Sequence, residues 1–103
     1  MYDVEIKETA WKDIESIYAY IVTTFKSIDK AENHYEAFLQ AINELTYDAG
    51  IRPIFVERKG INLYRKSVKN YALIYSLIGT QVKVLRIFHE SQDMLYKLHF
   101  RKS

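Results

Sequence analysis

The sequence has no cysteine, a single proline and three glycines. Without thiols it can form neither a disulfide nor a thiolate metal site, and it suits a reducing compartment. Pro53 and two of the glycines, Gly50 and Gly60, fall in one stretch, Gly50–Gly60, which reads as a surface loop rather than a domain boundary. Nowhere do about 18 uncharged apolar residues run together. The opening MYDVEIKETA also lacks a basic segment followed by an apolar one. Both absences predict a soluble, cytoplasmic protein with no membrane partner. Internal repeats and low-complexity segments are missing too.

With 103 residues, 49% of them hydrophobic and 15% aromatic, the chain has the size of one domain, 1–103, and can fill a single core. Its net charge of +2 is unevenly placed: residues 1–50 carry ten acids against four lysines, and residues 51–103 carry eleven Lys or Arg against Glu57, Glu90 and Asp93. Arg52, Arg58, Lys59, Arg65, Lys66 and Lys69 lie within eighteen residues. This asymmetry points to an anionic partner, nucleic acid or an acidic protein segment, unless the cations pair with the acidic half or face water.

Periodicity divides the chain into elements. Tyr2–Lys7 alternates as a short strand with Tyr2, Val4 and Ile6 on one side. Thr9 offers an N-cap for a helix from about Ala10 to Phe25, with Trp11, Ile14, Ile17, Tyr18, Ile21, Val22 and Phe25 on its apolar stripe. After a break at Lys26-Ser27-Ile28, Asp29 and Glu32 read as a capping box. Ala31, Tyr35, Phe38, Ile42, Leu45 and Ala49 then form the seam of a second helix, with Gly50 expected in the left-handed conformation at its end. Ile61–Val68 reads as a strand with one wet face. Tyr71–Ile78 reads as a central strand, and Gly79-Thr80 as a tight turn into Gln81–Phe88. On that last strand, Val82, Val84, Arg86 and Phe88 share one parity. Ser91 can cap a short terminal helix carrying Met94, Leu95 and Leu98.

The expected fold is α+β: an N-terminal strand, an antiparallel helical hairpin packed on an antiparallel sheet (β-α-α-β-β-β), and a short C-terminal helix. The hairpin covers one face of the sheet and leaves the other open for the basic loop and strand ends.

Several stretches, in this order, resemble the RelE/ParE superfamily, the toxin halves of type II toxin–antitoxin systems. They are Val4-Glu5-Ile6, the helix Asp13-Ile14-Glu15-Ser16-Ile17-Tyr18-Ala19-Tyr20-Ile21, Leu63-Tyr64-Arg65, Asn70-Tyr71-Ala72-Leu73-Ile74-Tyr75, and Val84-Leu85-Arg86-Ile87-Phe88-His89 with Gln92-Asp93. RelE-like members cut mRNA on the ribosome, whereas ParE-like members poison DNA gyrase; both are neutralised by a partner antitoxin. Carried onto this chain, Arg65 falls near an expected catalytic-face lysine. Ala72 and Glu90 fall where arginines are expected. The ending Leu85–Asp93 is closer to the ParE pattern. The resemblance therefore implies a ParE-like gyrase inhibitor from a plasmid-stabilisation module, with mRNA cleavage as the alternative. A third reading is a non-toxic corepressor that meets operator DNA only through the antitoxin complex.

Candidate site residues follow. Were the chain a metal-independent endoribonuclease, His89 would act as acid or base while Arg65 and Arg86 stabilised the charged phosphorane. Against that, a lone histidine past a strand commonly holds a carboxylate or backbone group, and Arg86 could instead pair with Asp93 or Glu90. Arg58, Lys59, Arg65, Lys66 and Lys69 are candidates for nucleic-acid or target contacts. Ile14, Tyr18, Phe38 and Ile42 are candidates for receiving the antitoxin's apolar segment. His34 and His99 have no ligand-like partner in the pattern, and neither a metal nor another cofactor is expected.

Overall fold

The computed structural model describes residues 1–91. The expected terminal helix after Ser91 lies outside them. The alternation at the start of the chain gives strand β1 (Asp3–Ile6), with Val4 and Ile6 turned inward. Two helices follow, α1 (Glu8–Phe25) and α2 (Ile28–Asp48), and then β2 (Val56–Arg58), β3 (Ile61–Val68), β4 (Tyr71–Ile78) and β5 (Gln81–His89). The strands form one sheet in the order β1-β5-β4-β3-β2. This is the expected α+β class, with two refinements. The sheet is mixed, because β1 lies parallel to β5, and the expected loop Gly50–Gly60 contains β2, which pairs antiparallel with β3.

Helix boundaries rest on local chemistry. Lys26 closes α1 in the left-handed conformation (φ 54°), and the Ser27 hydroxyl accepts the Lys30 N–H at 3.0 Å to begin α2. Serine, not Asp29, is therefore the cap. Thr9 does not cap α1 either; it lies inside the first turn, and its hydroxyl donates to the Leu85 carbonyl of β5 at 2.7 Å. Gly50 is not left-handed. A Cβ at Gly50 would run into the Tyr2 hydroxyl, which would have to shift to admit it.

Turns between the later strands are two residues long, at Lys59-Gly60, Lys69-Asn70 and Gly79-Thr80. Lys59, Gly60, Lys69 and Gly79 have positive φ, as the mirror-image turns that match strand twist require.

Both helices lie on one face of the sheet. Ile14, Phe38, Ile42 and Leu45 from the helices meet Tyr71, Leu73, Tyr75, Val82, Val84 and Ile87 from the strands. The opposite face carries a smaller core of Leu63, Ala72, Ile74 and Phe88 with Phe55, Val56 and Leu85 packed on it, so its centre is buried rather than open. β5 changes face along its length. Tyr75 lies opposite Val84 and Ile74 opposite Arg86, which leaves Leu85 as the extra residue of a β-bulge. The expected common parity of Val82, Val84, Arg86 and Phe88 is broken there: Val82 and Val84 stay under the helices while Phe88 joins the smaller core.

Candidate functional site

Beyond Val84, β5 has no described strand on the side away from β4, and α1 covers that outer edge. Thr9 holds the Leu85 carbonyl, and Asp13 Oδ2 accepts the Ile87 N–H at 2.9 Å. The same carboxylate takes Arg86 Nε at 2.7 Å and Nη2 at 3.1 Å, and the guanidinium carbon lies 4.6 Å from the centre of the Phe88 ring. Arg86 is thus paired, as its structural reading required, but with Asp13 rather than Asp93 or Glu90.

Past this ion pair a groove of about 520 Å3 opens between α1 and the end of β5, lined by Ser16, Tyr20, Tyr71, Arg86, His89 and their neighbours. His89 stands edge-on to Tyr71, ring centres 5.1 Å apart. Its Nδ1 accepts the Ser91 N–H at 3.1 Å and lies 2.7 Å from the Ser91 hydroxyl, an arrangement that puts the proton of a neutral ring on Nε2. Burial pushes the Tyr71 phenol up, and Tyr20 adds to the effect. A second hollow, of about 360 Å3, continues past Tyr20, Tyr71 and His89 to Phe25, Lys30, His34, Lys69 and Asn70.

The basic candidates do not form one patch. Arg65 lies opposite Ile74, on the sheet face turned away from the helices, and is ion-paired to Glu90, which also accepts the Ser67 hydroxyl at 3.1 Å. Lys66 faces the other way. With 8% of its surface exposed, it runs beneath α2, where Nζ donates to the Ala41 carbonyl (3.0 Å), Glu44 (2.8 Å) and Asp48 (3.2 Å). It is removed from the target-contact set because strand alternation turns it inward. Arg52 completes this cluster through Asp48 and the Tyr75 hydroxyl, which itself donates to the Ala49 carbonyl at 2.7 Å. Burial would raise Asp48, but Arg52 and Lys66 outweigh it and hold the carboxyl below its ordinary range. Arg58 is half-buried on β2, and Lys59 and Lys69 occupy turn tips at opposite ends of β3.

Of the candidates for antitoxin contact, Ile14, Phe38 and Ile42 belong to the core, with Ile14 and Phe38 each 1% exposed, and are closed to a partner. Tyr18 alone reaches the outside. It donates to Glu32 at the floor of a cleft between the helices lined by Trp11, Glu15 and Tyr35. The sequence pattern put Trp11 on the apolar stripe and Asp13 on the acidic outer face of the hairpin, open to a basic partner, rather than against Arg86. Asp13 does lie near the polar face of α1, and the doublets Val84-Leu85 and Ile87-Phe88 were a signal that β5 changes parity. Among the described residues, no three His, Asp or Glu side chains converge as metal ligands would. No described helix is long and apolar enough to cross a membrane.

Comparison with known families places residues 4–94 on the family described as the ParE toxin of the type II toxin–antitoxin system, parDE. The chain belongs to the ParE toxin family. Among solved structures, the ParE-family chain is similar to the chromosomal ParDE toxin–antitoxin system of P. aeruginosa. That match has a TM-score of 0.71 at 18% identity and covers 86% of this chain and 96% of the other. An archaeal RelE–RelB complex from Pyrococcus horikoshii OT3 matches with a TM-score of 0.61 at 22% identity, covering 88% and 97%. The RelBE2 complex of Mycobacterium tuberculosis matches with 0.57 at 20%, covering 85% and 96%. These likenesses establish a shared fold. The comparison with curated proteins gives no match. In this ParE-family toxin, then, the edge of β5 is sealed by Thr9 and Asp13, and the basic half of the chain is divided between the interior and the turn tips.

Proposed function

We propose that this toxin arrests growth in the cytoplasm by inhibiting DNA gyrase and is held inactive by a cognate antitoxin. One observation carries the choice of target: both arginines of the expected cleavage set are closed on carboxylates within the fold, Arg86 on Asp13 and Arg65 on Glu90. Phosphodiester cleavage needs cations that turn toward the charged phosphorane. Arg86 instead gives Nε and Nη2 to Asp13, and Arg65 lies on the opposite face of the sheet from His89. The family match supports the same reading, as do Ala72 and Glu90 at positions where a ribosome-dependent nuclease is expected to carry arginine.

The relatives from P. horikoshii and M. tuberculosis are complexes of a toxin with its antitoxin. By the same logic, the antitoxin's apolar segment meets this chain at the outer cleft of the helical hairpin, around Trp11, Tyr18 and Tyr35. Operator DNA is reached only through that complex. Messenger cleavage on the ribosome is the second reading, favoured by the groove that Arg86 and His89 both line.

The purified chain, added to a gyrase supercoiling reaction and separately to ribosomes carrying a defined mRNA, tests the choice. Loss of supercoiling with intact mRNA is expected. Cut mRNA with normal supercoiling overturns the gyrase reading, and inactivity in both assays leaves an antitoxin-binding module. Pulse-labelling after induction gives the same answer in cells, through an early fall in DNA synthesis rather than protein synthesis.

A further inference from the structure

The hollow at the far end of α1 differs from the Lys66–Arg52 cluster in that its described lining residues include no carboxylate. Lys30, His34, Lys69 and His89 line it, together with Tyr20, Ile21, Phe25, Asn70 and Tyr71, and no Asp or Glu is among these described residues. The cleft between the helices offers a contrast, since Glu15 and Glu32 line it and repel an anion.

Its aromatic residues are placed for use. Tyr20 and Phe25 pack edge to face, 6.4 Å between centres, yet leave 56% and 50% of their surfaces in water. Lys30 Nζ stands 4.1 Å from the Phe25 ring centre, so cation and ring face occupy the same spot. Below them His34 donates from Nδ1 to the Lys30 carbonyl at 2.9 Å and lies edge-on to Tyr71 at 6.1 Å, which fixes both rings. Lys69 stands at the tip of the β3–β4 turn in a positive-φ position (φ 57°), as Lys26 and Lys59 do at theirs, and glycine could replace it without disturbing that turn.

We propose that this hollow is a binding site for single-stranded nucleic acid, with a phosphate between Lys30 and Lys69 and the adjoining base against Tyr20 and Phe25. Lysines that track the backbone beside open ring faces are how sequence-tolerant single-strand sites are built. The volume, about 360 Å3, is at the lower end for ligand pockets and suits one nucleotide at a time. The site is independent of the gyrase reading, because it binds the strand directly.

The test is fluorescence anisotropy of labelled hexathymidylate titrated with the purified full chain at two salt concentrations. Saturable binding that weakens with salt is expected. Lys69→Gly, which keeps the turn, and Lys30→Gln should each weaken binding several-fold and flatten the log–log salt dependence by about 0.7. Phe25→Leu should weaken it by about fivefold or more without changing that slope. Lys12→Gln, a charge loss at the start of α1, should leave binding unchanged, and thermal melts of all four variants confirm that each is folded. The proposal falls if Lys12→Gln weakens binding as much as Lys69→Gly, since the attraction is then diffuse. It also falls if hexaglutamate binds more tightly than hexathymidylate at equal ionic strength, which would make the hollow an acidic-peptide site, or if no saturable binding occurs at low salt.

Discussion

Two groups of cations on either side of the helical hairpin have opposite surroundings. Under the C-terminal half of α2, Lys66 and Arg52 meet Glu44, Asp48, the Ala41 carbonyl and the Tyr75 hydroxyl. At the other end, beside the α1–α2 connection, Lys30 and Lys69 face rings and imidazoles. The first group is neutralised by the acidic half of the chain and fastens α2 to β3. The second has no carboxylate among its described lining residues. The same residue types thus build structure where carboxylates face them and line the proposed strand-binding hollow where none of the described residues is acidic.

Perturbing the fastened side should give the larger effects. Leu45→Ala, in the seam between α2 and the sheet, should cost ~2–5 kcal/mol in urea unfolding; near-zero loss would contradict its core position. Asp13→Ala should cost about 2–4 kcal/mol, because it strands Arg86 and the Ile87 N–H together. A double-mutant cycle with Arg86→Met should show strong coupling between the two.

Asp48→Asn should cost less, ~1–3 kcal/mol near neutral pH, and its cost should depend on pH. The Asp48 carboxyl is held below its ordinary value of 3.8, so its contribution is complete above that value and is lost as pH falls through the depressed one. Thermal melts of parent and variant should therefore stay apart above pH 5 and draw together only as pH falls below 3.8; a gap that stays constant would remove Asp48 from the ion-pair cluster. On the ligand-facing side the smallest effect has the opposite sign. Lys69→Gly relieves a positive-φ turn and should raise stability by about 0.5–1 kcal/mol even as it weakens strand binding. A destabilised Lys69→Gly would undo the contrast between the two sides.

The elements could be read from sequence because their signals are local. Alternation at Tyr2–Lys7, the three-and-four spacing from Ala31 to Ala49, and Gly79-Thr80 each specify backbone over a few residues, and β1, α2 and the β4–β5 hairpin follow from them. What escaped depends on distant partners. β2 is too short to show a period and exists because β3 pairs with it. The Leu85 bulge moved Arg86 out of the face assigned by simple alternation. Lys66 looked like part of a basic run, and only the position of Glu44 and Asp48 over β3 turns it into an interior residue. The candidate site was less legible for the same reason. His89 and Lys69 stood out as chemistry, but nothing near them in sequence names Tyr20, Phe25 or His34 as neighbours.

The parallel pairing at the edge of the sheet also sets an order of events. Val4 lies opposite Val82 and Ile6 opposite Val84, so β1 waits for β5, the last of the described strands. At roughly 5–20 residues per second, the finished helical hairpin precedes β5 by a few seconds. During that interval a nascent chain on the ribosome has helices with no sheet to lie on. Closing the sheet thus waits until β5 has been added, and none of the surfaces that β5 helps to build exists before then.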